Sequence, residues 1–259
     1  MNANPELGDH QNFAACLSNH IRQHQGWAEL ETFGESLNVH ALDQRELRVF
    51  LASTGQFFRE IPGGILSLAL RVTDDRIQQD RFGAVESAAS ILLSAVDEYG
   101  LGTNSTGNTR NHHRLFADMV RRFGVCEADL HDPQFILPEA IELAHVTRGL
   151  YRAGSVAGSV GFHYASEVTS DREFELCYLG LAGHLREYTD IAPPVMPQKF
   201  LDFYFVHTVV EREHGAAGAT AVDLYSASEI DRQSMLEGAA QFLDAYGALW
   251  SALNRRRKD

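Results

Sequence analysis

The chain is patterned for helices almost from end to end. Nearly every long segment of its 259 residues spaces apolar side chains three and four apart, and no stretch alternates apolar and polar residues as a half-buried strand must. The period runs over residues 12–24, 42–60, 76–99, 109–123, 172–187 and 229–256. It also runs from Pro138, at a helix N1 position, to about Val168. Pro62-Gly63-Gly64 is expected to end the second segment, leaving Ile65 to Leu70 as a short apolar turn. Gly100, Gly102, the polar run Thr103 to Asn108, Gly124 and the stiff connector Pro193-Pro194 with Pro197 are the punctuation. Ser170-Asp171 reads as an N-cap for the helix from Arg172 to Glu187. Together these signals predict a single all-α domain over residues 1–259, a bundle of seven or eight helices. Residues 1–10 are expected to be flexible and 254–259 to form a basic tail.

Composition narrows the partners. An apolar fraction of 44% is enough for a sizeable core. A net charge of −13 argues against nucleic acid, which needs a basic face. The basic run Arg255-Arg256-Arg257-Lys258 is explained as a solvated tail or as charges complementing a helix C-terminus. Cys16, Cys126 and Cys177 form no C-x-x-C pair, which fits a reducing compartment without a disulfide framework. No apolar signal region precedes His10 and no apolar run approaches membrane-spanning length, so a cytoplasmic protein without membrane contact is expected.

Chemistry concentrates in His207-Thr-Val-Val-Glu211-Arg-Glu-His214. A helix turns about 100° per residue, so steps of four and seven return to nearly one face. His207, Glu211 and His214 therefore point into one volume, and two imidazoles with a carboxylate suit a transition metal. The plain alternative is a surface helix with solvated His–Glu pairs. Partner ligands on other helices decide between the two. Glu98, in Asp97-Glu98-Tyr-Gly-Leu-Gly102 and followed by His112-His113-Arg-Leu-Phe116, is one candidate. Glu167, closing Gly161-Phe-His-Tyr-Ala-Ser-Glu167, is another. Each sits among apolar or small residues, where a lone ionised carboxylate is costly to bury. Solvated helix-end acids would explain them equally.

In this order, E-x-G-x-G, H-x-x-L-F, a small-residue helix ending in glutamate and H-x3-E-x2-H resemble the haem-oxygenase-like diiron oxidases and oxygenases. Glu237-Gly-Ala-Ala to Leu249-Trp250 resembles that family's C-terminal helix, so the likeness runs from about Glu86 to Trp250. The resemblance implies a haem-oxygenase-like bundle and a ligand set of Glu98, His112 (with His113 competing), Glu167, His207, Glu211 and His214. It also implies two irons, the second readily lost, with O2 as co-substrate, an external electron donor, and a homodimer. Two features depart from the family: the loop between Glu98 and His112 is longer, and Glu211 stands where aspartate is usual. The longer side chain puts the second iron position in question.

The resemblance further implies oxidation of a small substrate in natural-product chemistry. An aliphatic amino acid undergoing desaturation, cyclisation or C–C cleavage is expected, with N-oxygenation of an amine or oxidative decarboxylation of a fatty acid as alternatives. Arg148 and Arg152, at i and i+4, are the candidate partners for a substrate carboxylate, or else a solvated helix face. Gly154, Ser155, Gly158, Ser159 and Gly161 could line a pocket or permit tight helix packing. Two other classes stay open: a thiaminase-like hydrolase, for which Cys177 would be the nucleophile, and a non-catalytic metal-binding helical protein.

Overall fold

A computed structural model describes residues 13–101, 110–188 and 197–257. The expectations for residues 1–10, for the run 103–108 and for Pro193-Pro194 lie outside the described residues. The fold is all-α: α1 Phe13–Gln23, α2 Gln25–Val39, α3 Gln44–Phe58, α4 Ile61–Arg76, α5 Arg81–Glu98, α6 His112–Arg122, α7 Pro138–Arg152, α8 Val156–Gly183, α9 Leu185–Tyr188, α10 Pro197–Phe200, α11 Asp202–Tyr225 and α12 Glu229–Arg256. A short 3-10 turn, Asp129–His131, precedes α7. No described helix is long and apolar enough to cross a membrane.

The central helix is α8, buried on every side from Ala157 to Thr169 and packed against α11, α12 and α2. Small residues make that position possible. A Cβ on Gly161 would come 2.3 Å from the Met235 carbonyl oxygen of α12, and one on Gly238 would come 2.0 Å from the Gly158 carbonyl oxygen. Gly158 and Gly161 thus serve close helix packing, and they do not line the cavity described below.

The chain divides its helices differently from the sequence expectation in four places. Pro62 does not end a helix; it occupies the first turn of α4, where a missing N–H costs nothing, and Gly64 leaves room for the Tyr151 ring. The run 76–99 holds one helix that begins later than expected, α5 from Arg81, after α4 ends at Arg76 and Asp80 caps α5 through Gly83 N. The segment from Pro138 to Val168 breaks at Gly154, whose φ of 73° only glycine adopts easily, and Ser155 then caps α8. Ser170-Asp171 caps nothing, because α8 runs through it. In the C-terminal basic run, Arg255 and Arg256 are exposed in the last turn of α12, where they complement the helix C-terminus, and Lys258 lies outside the described residues. Residues through Arg256 belong to α12, Asn254 donates to the Glu29 carbonyl, and Arg257 donates to the Ser36 and His40 carbonyls and lies over Phe33.

Candidate metal centre

Four helices deliver the six predicted ligands to one cavity of about 390 Å³. Local sequence sets each position. Gly100, at φ 69°, stops α5 so that Glu98 falls in its last turn. Asn111 caps α6 through Arg114 N, which puts His112 at its first residue. Arg122 of α6 grips Asp202 at the start of α11 with two hydrogen bonds of 2.6 and 3.0 Å, tying the His112 helix to the His207 helix. Glu167 projects from buried α8, and the four-and-seven spacing on α11 turns His207, Glu211 and His214 inward, all buried.

The ligands fall into two groups of three, Glu98 with His112 and His207, and Glu167 with Glu211 and His214. Within each, the potential ligand atoms lie within 4.8 Å of one another. Glu98 Oε1 is 3.0 Å from His112 Nδ1 and 3.7 Å from His207 Nε2. His214 Nδ1 is 3.6 Å from both Glu167 Oε2 and Glu211 Oε2. Of the two histidines, His112 is buried in the first group, whereas His113 is exposed at the cavity mouth.

Surrounding groups fix the imidazoles. His207 Nδ1–H donates to the Phe203 carbonyl at 2.7 Å, leaving Nε2 facing Glu98, and Phe174 stacks on the ring with centroids 3.9 Å apart. His214 Nε2–H donates to Asp97 at 3.1 Å, leaving Nδ1 for the cavity. Ser94 Oγ–H donates to Glu167 Oε1 at 3.0 Å. His163 Nδ1 stands 3.5 Å from that same oxygen and 3.2 Å from the Tyr151 hydroxyl. Orienting partners of this kind set which nitrogen is free to bind a metal.

Electrostatics point the same way. Burial lifts Glu167 to about 7, helped by the nearby Glu211. Burial pulls His207 down to about 4, helped by His112, so its imidazole is neutral and able to coordinate. Burial would raise Glu98, but the His112 and His207 imidazoles override it and hold the carboxyl well below the usual range. His214 rises despite burial, through Asp97 and Glu211. Three carboxylates thus share one floor, with no arginine or lysine among their salt-bridge partners within the described residues. Two polar atoms there make no hydrogen bond, His112 Nε2 in one group and Glu211 Oε2 in the other. Buried orphaned acceptors beside clustered anions are costly unless cations complete them. The donor set therefore fits iron, for which imidazole and carboxylate are suitable ligands.

A family described as iron-containing redox enzymes matches residues 84–247. The chain belongs to that family. The likeness in fold to solved structures covers most of the chain. The structure of a TenA homologue from Pseudomonas syringae superposes with a TM-score of 0.68 at 13% identity, covering 95% of this chain and 91% of the other. A domain with a haem-oxygenase-like fold from Shewanella denitrificans gives 0.62 at 10% identity, covering 95% and 90%. These likenesses show the haem-oxygenase-like fold. In sequence, this iron-containing redox enzyme is 25% identical over 221 residues to the 4-chloro-allylglycine synthase of Streptantibioticus cattleyicolor, covering 85% of this chain and 75% of that one.

Other predicted residues lie elsewhere. Arg148 does not reach the cavity; it is exposed and pairs with Glu60 through hydrogen bonds of 2.6 and 2.9 Å. Arg152 is exposed at the end of α7 and also absent from the cavity lining. The α7 register turns both outward, because Leu143, Ala144, Thr147 and Tyr151 take the buried face. Cys177 is buried away from the cavity, and burial pushes its thiol well above its ordinary value. The sequence reading passed over Asp97, one residue before Glu98, and His163, one helical turn before Glu167. Both positions were legible from spacing, as neighbours of a proposed ligand on the same helix.

Proposed function

We propose that this member of the iron-containing redox enzymes is an O2-dependent non-haem diiron oxidase acting on a small aliphatic amino acid. The observation that carries the reading is the pairing of six candidate ligands, five buried and Glu98 half-buried, into two three-residue groups on one cavity. Glu98, His112 and His207 would hold one iron, and Glu167, Glu211 and His214 the other. Bound there, ferrous iron would supply the electrons for O2 activation, with a donor outside the chain in the same scheme.

The chain's own residues do the rest. Asp97 and the Phe203 carbonyl hold His214 and His207 in the tautomers that aim a lone pair at the floor. Phe58, Phe116, Phe174 and Phe203 pack edge and face against one another above it, a wall that excludes water and accepts an aliphatic chain. The curated relative is named for making an unsaturated amino acid, which supports amino-acid desaturation, cyclisation or C–C cleavage here. The hydrolase alternative loses ground because its nucleophile, Cys177, is buried outside the cavity. Anaerobic Fe(II) titration followed by O2, with mass-spectrometric screening of the amino acids and common fatty acids, tests the reading. Iron uptake with an oxidised amino-acid product is expected. No iron uptake, or unimpaired turnover in His207→Ala, would refute it.

A further inference from the structure

The cavity has a second charged end that the ligand set does not explain. Its mouth carries Arg59, Arg114 and Arg121 against one acid, Glu127, in a chain whose net charge is −13. The three arginines are not equivalent. Arg114 and Arg121 are both held by Asp118. Arg59 makes no salt bridge among the described residues, and the acid next to it in sequence, Glu60, is engaged by Arg148. The ion pair between Arg148 and Glu60 thus leaves Arg59 outside any salt bridge among the described residues.

Arg59 is also held in place. It follows the last turn of α3, and its guanidinium donates to Gln56 Oε1. The Gln56 amide has no freedom to turn, because its Nε2 donates to the Ala52 and Leu130 carbonyls at 3.1 and 3.2 Å. Leu130 N–H in turn donates to the Glu127 carbonyl at 3.2 Å, which brings Glu127 to the same side of the mouth. Glu127 makes no salt bridge among the described residues either. A pre-oriented guanidinium and a carboxylate lining one cavity, neither in a salt bridge among the described residues, are complementary to a zwitterion. The same cavity is lined by Arg59 and Glu127, by the phenylalanine wall and by the six candidate ligands.

We propose that Arg59 binds the carboxylate and Glu127 the ammonium of a free α-amino acid, whose aliphatic side chain extends along the phenylalanine wall toward the metal ligands. The assignment rests on the oxidase reading above and adds the orientation: head group at the mouth, side-chain carbons at the reacting end.

Three probes of equal chain length separate the contributions: L-norleucine, hexanoate and hexylamine, titrated calorimetrically into Fe(II)-loaded protein under argon. L-norleucine should bind best. Arg59→Gln should weaken L-norleucine and hexanoate about tenfold, the scale of losing one charge-assisted contact near solvent, and leave hexylamine unchanged. Arg59→Lys should recover part of that loss. Glu127→Gln should weaken L-norleucine and hexylamine and spare hexanoate. Wild-type affinities for L-norleucine and hexanoate that persist within twofold in Arg59→Gln would overturn the assignment, as would failure of all three probes to bind the wild type. Iron per chain, measured on the same samples, separates the two claims. Absent iron in the wild type refutes the oxidase reading, whereas failed titrations with iron in place refute only the role given to Arg59 and Glu127.

Discussion

The floor and the mouth of the cavity are built on opposite rules. At the floor, carboxylates and imidazoles are buried, crowded and held by neighbours such as Asp97, Ser94 and the Phe203 carbonyl. At the mouth, charged side chains are exposed, and only those without an internal partner are available to a ligand. Burial makes each floor charge costly, so its presence calls for a cation. Exposure makes each mouth charge cheap, so only its pairing state and orientation carry information.

The largest expected effect breaks the floor. His207→Ala or Glu167→Ala should abolish stoichiometric iron binding and lower O2 consumption at least a hundredfold, because either leaves its group of three incomplete. Next is the orienting shell. Asp97→Asn keeps the shape but no longer fixes the His214 tautomer, and iron affinity should fall about 10- to 100-fold in a competition with a chelator.

A control for the floor lies two turns further along α8. Glu173 is also buried, yet it accepts a hydrogen bond from the Tyr246 hydroxyl at 2.8 Å and lies outside the cavity lining. Burial raises it from 4.5 to about 8, so between those values the folded chain keeps a proton that the unfolded chain has lost. Stability therefore falls as pH rises through that window. Glu173→Gln removes the dependence and should gain about 1–3 kcal/mol over the wild type between pH 5 and pH 8 in denaturant titrations, with iron content unchanged. A loss of iron in this variant would mean that a satisfied hydrogen bond and a place outside the cavity lining do not mark a non-ligand carboxylate.

The smallest effect is expected at the residue the sequence favoured for substrate binding. Arg148→Ala removes an exposed ion pair with Glu60 and should shift stability by less than about 1 kcal/mol. Iron content and L-norleucine affinity should stay at wild-type values.

This contrast also explains how much was legible in the sequence. Periodicity and composition revealed the all-α class, because burial leaves a repeating mark on every helix. Of the six floor residues, His207, Glu211 and His214 were legible because side chains four and seven apart share a face, Glu98 and Glu167 because lone carboxylates stand out in apolar runs, and His112 only through the family resemblance. Helix boundaries were less legible. Gly154 and Ser155 break a helix while Ser170-Asp171 does not, and the difference lies in tertiary packing of α8. The mouth was illegible. Whether Arg59 or Arg148 is available depends on which one Glu60 engages, a contact between α7 and the turn before α4 that no spacing rule encodes.

The central claim is that the two groups of three each hold iron. The most direct test is iron stoichiometry and Mössbauer spectroscopy on protein loaded anaerobically with enriched Fe(II), comparing wild type with Glu98→Ala and Glu211→Ala. The account predicts about two high-spin ferrous ions per chain in the wild type, with each variant losing preferentially the iron of its own group. Wild-type protein that takes up no iron, or variants that bind as much as the wild type, would contradict it.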